Sequence, residues 1–172
     1  DLLTMRNLPD LPPKAKTVTL AFMLQAVGEG PRYHMQPRND WEHDEPLDNR
    51  LITDAKSALD GRGQVKLSYP IRNIHRTVGA RLAGEIAKRY RDKGLPTATI
   101  DVTFRGVAGQ SFGAFCINGI RLTLIGEAND YVGKMMAGGE LIIRPPDESP
   151  FVWHQNVIIG NTCLYGATGG VL

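Results

Sequence analysis

Cysteine is nearly absent from this chain: Cys116 and Cys163 are the only two in 172 residues. Two thiols 47 positions apart do not make a disulfide framework. They also fall short of the three or four thiolates that hold an iron–sulfur cluster. Free thiols in a reducing, cytoplasmic compartment are the expectation. Long hydrophobic runs are missing too, with nothing near the roughly 18 apolar residues that would suggest a membrane span. Charge of one sign is missing as well: 20 Lys and Arg against 18 Asp and Glu leave +2, too little to argue for a nucleic-acid surface. Lys14 to Val27 imitates a leader, but three prolines precede it and no small-x-small site comes after it. A short core segment is expected there instead.

The motifs of common chemistries are equally scarce. His34, His43, His75 and His154 form no H-x-x-x-H pair, and no cysteines lie at metal-ligand spacing. Gly106, Gly109 and Gly113 do not match the dinucleotide fingerprint, and the residues after them read as strand. Gly126 and Gly133 are too far apart for a phosphate loop, and Met135 replaces its hydroxyl residue. No nucleophile elbow is present. Cys116 or Cys163 with His75 or His154 could be drawn as a catalytic pair, yet both thiols sit in apolar stretches, where a buried thiol is inert. The expected catalytic, cofactor-binding and metal residues are therefore none.

Glycine is what the sequence has. Twelve of its 19 glycines fall between Gly106 and Leu172. Gly106, Gly109, Gly113, Gly133, Gly138, Gly139, Gly166, Gly169 and Gly170 are expected to form structural corners, since glycine takes φ > 0 freely and admits close backbone approach. Between them lie short apolar segments, 99–104, 121–125, 140–143 and 156–159. Equating Ile100, Leu122, Leu141 and Val157 gives spacings of 22, 19 and 16 residues. Short strands repeating about every 20 residues suggest stacked coils, with a β-sandwich as the bland alternative. Alternation would align Ile100, Leu122, Leu141 and Val157 as one interior ladder, and Val102, Leu124, Ile143 and Ile159 as another. Ile142 and Ile158 would then face outward, level with Asp101 and Thr123, and need a cover such as the 77–93 helix or a neighbouring domain.

Residues 1–46 hold six of the 11 prolines and read as a connector with one packed segment, 18–26. The acidic loop 40–45, with Trp41, reads as solvated or as a docking patch. Residues 47–96 read as a helix–strand–helix lead-in. Asp48 would cap a helix to about Leu59, ended by Gly61. A strand comes next over 64–69, ended by Pro70. Thr77 would cap a second helix to about Lys93, with Gly94 as its stop. Val78, Leu82, Ile86 and Tyr90 give that helix a core-facing stripe, and its other face is basic. The coils would occupy 97–172.

One family shares these motifs. Arg72-Asn73, Arg76-Thr-Val-Gly79, Gly109-Gln-Ser-Phe-Gly113 and Ala128-Asn-Asp-Tyr-Val-Gly-Lys134 occur together in order. Ile143-Arg-Pro-Pro146 and the run from Ile158 to Gly170 complete the set. Over about Leu47 to Leu172 the chain resembles the C-terminal glycine-repeat (GXGXG) domain of the large (alpha) subunit of bacterial glutamate synthase. It departs at Met135, where the family usually has glycine, so that corner should be altered.

The resemblance implies a right-handed parallel β-helix, with further coils beyond Leu172. It also implies a parent that makes glutamate from glutamine and 2-oxoglutarate, with FMN and an iron–sulfur cluster held elsewhere. This segment would be a structural spacer against which the amidotransferase and FMN-binding domains pack, in a parent that also has a small flavoprotein subunit. In isolation, a second copy would cover the open solenoid end. The alternatives are the similar C subunit of formylmethanofuran dehydrogenase and a hexapeptide-repeat acyltransferase, whose strict six-residue period is absent. No nucleic-acid or membrane partner is expected.

Overall fold

The alternation Ile100-Asp-Val-Thr-Phe104 is the clearest strand signal in the chain, and it lies at the centre of the architecture. The computed structural model describes residues 19–26, 28–30 and 45–172. The chain divides into two compact units, Asp1–Glu42 and His43–Leu172. In the first, helix α1 (Leu20–Met23) is capped by the Thr19 hydroxyl, which accepts from the Phe22 N–H. Phe22, Met23 and Leu24 are all exposed. The 40–44 part of the acidic loop, Trp41 included, lies outside the described residues.

The second unit opens with α2 (Leu47–Asp54) and α3 (Lys56–Leu59), then β1 (Val65–Ile71) and α4 (Ala80–Tyr90). Then come β2 (Ile100–Ala108), β3 (Ile120–Ala128), β4 (Ala137–Arg144) and β5 (Gly169–Val171). All five strands are parallel in one sheet, in the order β1-β2-β3-β4-β5. Inward residues of β2 and β3 are wholly buried, among them Val102, Phe104, Leu122 and Leu124. Leu51, Leu59, Leu82 and Ile86 from the helices join the same core.

The expected right-handed parallel β-helix is not what forms. The described residues make an α/β arrangement, one parallel sheet with helices and turns between its strands. A solenoid needs further sheets around each coil, and the returns here cannot supply them. From β1 to β2 the chain crosses through α4 and a short 3₁₀ turn. The 109–119 and 129–136 returns carry alternate residues at positive φ, which no extended strand allows. A 20-residue period marks any repeated strand-and-return unit, and says nothing about how many sheets the return contributes.

The side-chain ladders also need correction. Ile100 pairs with Ile120, Val102 with Leu122, and Phe104 with Leu124. On the next strand, Leu122 pairs with Leu141 and Leu124 with Ile143. The inward parity is as expected, but β2 is displaced by two residues. Thr123 and Ile142 are level, with Thr103 beside them rather than Asp101. No strand forms over 156–159, where Ile159 makes only an isolated bridge to Ala128 and Val157 is 85% exposed.

The lead-in differs in instructive detail. Pro70 does not end β1, which continues to Ile71. Proline is tolerated because β1 is an edge strand, where a missing N–H breaks no ladder. Thr77 does not cap α4; it sits at φ 58°, and Gly79 at φ 98° takes the N-cap position without a side-chain acceptor of its own. Asp48 supplies that acceptor from the other helix. Its carboxylate takes hydrogen bonds from the N–H groups of Gly79, Arg81 and Leu82 at 3.0–3.2 Å. Asp48 is thus a cap, as its position suggests, but for α4 rather than α2.

Candidate functional site

Three surfaces of the second unit carry organised side chains, and each derives from the strand-and-return unit. The outer face of the sheet comes first. Registration places Lys66, Asp101, Arg121 and Glu140 side by side across four strands, a row of alternating charge. Arg121 pairs with Glu140 and, at 3.8 Å, with Asp101. The Glu140 hydrogen bond above all holds the Arg121 guanidinium protonated, and the coulombic pull of Glu140 and Asp101 adds to it. Ser68, Thr103, Thr123 and Ile142 form the next row. Ile142 is 43% exposed, while Ile158 is half-buried. Helix α4 does not cover this row, since it packs Leu82, Ala83 and Ile86 into the core.

The second surface lies at the C-terminal ends of the strands. A groove of about 410 Å³ runs between Arg105, Val107, Glu127, Pro146 and Phe151. Its floor is glycine because it must be. Gly106 and Gly126 are in register, with φ of 129° and 148°. A Cβ on Gly126 would collide with the Gly106 carbonyl oxygen, and one on Gly106 with that of Ile71.

The third surface is the stack of returns. In the first tier Ser111, Gly113 and Phe115 have φ of 65°, 68° and 58°. In the second, Tyr131, Gly133 and Met135 have 65°, 65° and 57°; in the third, Thr162, Leu164 and Gly166 have 56°, 58° and 67°. Left-handed residues at every second position corrugate the backbone, so N–H and C=O groups point alternately to the tiers on either side. Ser111 and Phe115 donate to the carbonyls of Asp130 and Lys134, while Gly133 and Ala137 donate back to Phe112 and Cys116. Tyr131 and Met135 donate to Asn161 and Tyr165, while Leu164 and Thr168 donate back to Val132 and Met136. Asn129 adds a side-chain bond to Asn73, and Asp130 accepts from the Asn161 N–H. Phe115, Tyr131, Met135, Leu164 and Tyr165 are all exposed on this stack. The Lys134 ammonium lies 5.3 Å from the centre of the Tyr131 ring and 5.9 Å from that of Tyr165, within range of a cation–π contact.

The nine corner glycines fall in three kinds of place. Gly113, Gly133 and Gly166 belong to the left-handed tiers. Gly106, Gly138, Gly139, Gly169 and Gly170 lie within strands β2, β4 and β5. Gly109 opens the first return, where a Cβ would strike the Asn73 carbonyl oxygen. The stack side chains were not singled out from the sequence, apart from Met135. Their signal was available in the residues two positions either side of Gly113 and Gly133, which repeat at a 20-residue interval.

Chemistry is thinly spread. Cys116 is buried, and burial pushes its thiol up to about 12, against a weak contact to the Ile117 carbonyl. Cys163 is half-buried and donates to the Gly160 carbonyl. The His75 Nδ1 accepts from the Arg72 N–H, so it is occupied locally. Among the described residues no group of three His, Cys, Asp or Glu could hold a metal ion. No helix among them is long and apolar enough to cross a membrane.

Comparison with known proteins adds the family. Residues 48–172 match the model of the GXGXG motif. The ferredoxin-dependent glutamate synthase of Cyanidium caldarium is 52% identical over 128 residues, 73% of this chain and 8% of that protein. The NADH glutamate synthase of Schizosaccharomyces pombe is 52% identical over 124 residues, 72% of this chain and 6% of that protein. The NADPH glutamate synthase large chain of Azospirillum brasilense is 43% identical over 146 residues, 84% of this chain and 10% of that protein. The chain thus spans a tenth or less of the length of these relatives.

Proposed function

Because the chain belongs to the GXGXG family and is a domain of the glutamate synthase type, we propose that it is the structural element on which the catalytic domains of a glutamate synthase large chain pack. The observation that carries this reading is the double-sided build of its second unit. Sheet and returns are both cross-linked tier to tier by backbone hydrogen bonds, so three differently shaped surfaces are held in fixed relation. Such a body suits the task of holding two reaction centres at a constant separation.

In the parent, glutamine hydrolysis on one domain would supply ammonia to a second domain, where it adds to 2-oxoglutarate. FMN would supply the reducing chemistry there, fed through an iron–sulfur cluster. The residues that hold both groups would belong to other parts of the parent, and its electrons would come through a small flavoprotein subunit or its equivalent. Relatives whose names carry ferredoxin, NADH and NADPH match this chain at 52%, 52% and 43% identity. A segment so similar across three donors serves something they share.

The test uses the complete large chain with Leu124→Ala, which loosens the core of this segment. Glutamine hydrolysis and the ammonia-dependent synthesis of glutamate should each persist when assayed separately, while glutamine-dependent synthesis falls. Selective loss of one half-reaction with the other intact would overturn the structural role. So would a stoichiometric flavin spectrum from the 172-residue chain alone.

A further inference from the structure

Four of the exposed large apolar residues share an unusual property. Phe115, Tyr131, Met135 and Leu164 are 51%, 38%, 44% and 41% exposed. The same four have φ of 58°, 65°, 57° and 58°. The two facts are independent, and each by itself disfavours the residue found. Left-handed backbone favours glycine, which this stack uses at Gly113, Gly133 and Gly166. Water disfavours contiguous apolar side chains. A site that keeps bulky residues against both pressures is selected for something outside the tier, and strained conformations cluster at contact surfaces for that reason.

The face also has a definite chemistry. Lys134 lies over two tyrosine rings, so its ammonium sits amid apolar and aromatic surface. A cation in that setting is best matched by a carboxylate inside an otherwise apolar contact. Aromatic anchors on a rigid base lose little conformational entropy when they are covered. The base here is rigid, since each tier both donates to and accepts from its neighbours.

We infer that the stacked-turn face made by Phe115, Tyr131, Lys134, Met135, Leu164 and Tyr165 is the docking surface for another domain of the same large chain, one that presents an apolar patch with a carboxylate opposite Lys134. This rests on the reading of the segment as a domain of a larger protein. That reading is favoured by relatives in which it occupies a tenth or less of the length. The occupant is a domain of the parent rather than a second copy, because the face carries Lys134 and its own tiers offer no complementary acid: Asp130 is engaged with the Asn161 N–H.

The experiment places a photo-crosslinking phenylalanine analogue at Phe115 in the complete large chain, and at Ile142 on the outer sheet face in a second preparation. Capture of an acid-bearing peptide outside this segment from Phe115 is the expected result. Capture from Ile142 alone would overturn the docking face while leaving the structural role standing. Capture from neither would overturn both, and capture of a second copy of this segment from Phe115 would overturn the choice of occupant. A second measurement is independent of crosslinking. Tyr131→Gly and Met135→Gly suit the left-handed backbone, so the 172-residue chain carrying them should melt no lower than the unaltered chain. In the complete large chain the same pair should speed amide exchange across residues 111–115 and 131–135 by at least about tenfold, the scale on which a lost anchor residue weakens a contact. Unchanged exchange would sink the proposal.

Discussion

The sheet and the stack of returns both carry the chain from one tier to the next, yet they do so by opposite means. In β2 and β3 the backbone is ordinary and the side chains decide the outcome: Val102, Leu122, Phe104 and Leu124 are fully buried and in register. In the returns the backbone is unusual and decides the outcome through left-handed residues at every second position. One region is therefore vulnerable to removing atoms, and the other to adding them. Gly106 and Gly126, where the strands bend, belong to the second kind although they lie inside the first.

The largest expected effect tests that last point. Gly126→Ala would push a Cβ onto the Gly106 carbonyl oxygen at a φ of 148°, with backbone on the other side and nowhere to move. It should destabilise the chain by at least about 4 kcal/mol, the range reserved for severe steric or backbone faults. Urea unfolding monitored by circular dichroism would show it, and a loss below about 1 kcal/mol would mean that the bend is not what fixes the register.

Next in size is the side-chain face. Leu124→Ala should cost about 2–5 kcal/mol, the range for a buried aliphatic, whereas Thr123→Ala on the opposite face should cost below about 1 kcal/mol. Equal losses at the two positions would erase the distinction between inner and outer faces.

A third test joins the two helices. Asp48→Asn keeps one acceptor of the Asp48 carboxylate and should cost about 1–2 kcal/mol at neutral pH, the scale of a lost cap. Burial above all raises the Asp48 carboxyl from its ordinary value of 3.8, against the Gly79, Leu82 and Arg81 N–H groups and the Arg81 charge. Raised in the folded state, the group binds its proton more tightly there than when unfolded. Its contribution is therefore complete below about 3.8 and declines as pH rises through the folded value. Relative to Asp48→Asn, the unaltered chain should lose stability across that window in urea titrations at successive pH. An identical pH profile for both proteins would show that Asp48 titrates normally.

The smallest expected effect has the opposite sign. Met135→Gly relieves a left-handed methionine and should raise stability by about 0.5–1 kcal/mol, since the gain of roughly 1–2 kcal/mol is partly offset by glycine's greater freedom when unfolded. Thermal melting would read it, and a drop in midpoint would show that the Met135 side chain supports the tier from within.

Much of the strand pattern was legible from alternation alone. Segments 121–125 and 140–143 lie inside β3 and β4, and inward parity came from period-two spacing. The pairing between β2 and β3 was misjudged because Ile100 and Leu122, both apolar and of equal parity, are interchangeable to a hydrophobic pattern. Gly106 and Gly126, 20 residues apart, carry the true register, because only glycine survives at that stacked bend. The 156–159 segment misled for a related reason: its isoleucines suit a strand, but pairing with β4 is taken by Gly169–Val171. Asp48 could be recognised as a capping residue and not assigned to its helix, since the receiving N–H groups lie 31–34 residues away. The single sheet was hidden for the reason that matters most. Non-glycine residues such as Phe115 and Tyr131 at positive φ have no sequence signature.

The direction of the bonds in the return stack has an electrical consequence. Between the first two tiers, Ser111 and Phe115 donate one way while Gly133 and Ala137 donate the other. Between the second and third, Tyr131 and Met135 are opposed by Leu164 and Thr168. Peptide dipoles along the axis therefore cancel in pairs, whereas in a helix they add to about half a charge at each end. Lengthening such a column by another tier adds no field at its ends. Any ion moving past this face would respond to Lys134 and its neighbours, and not to the length of the backbone behind them.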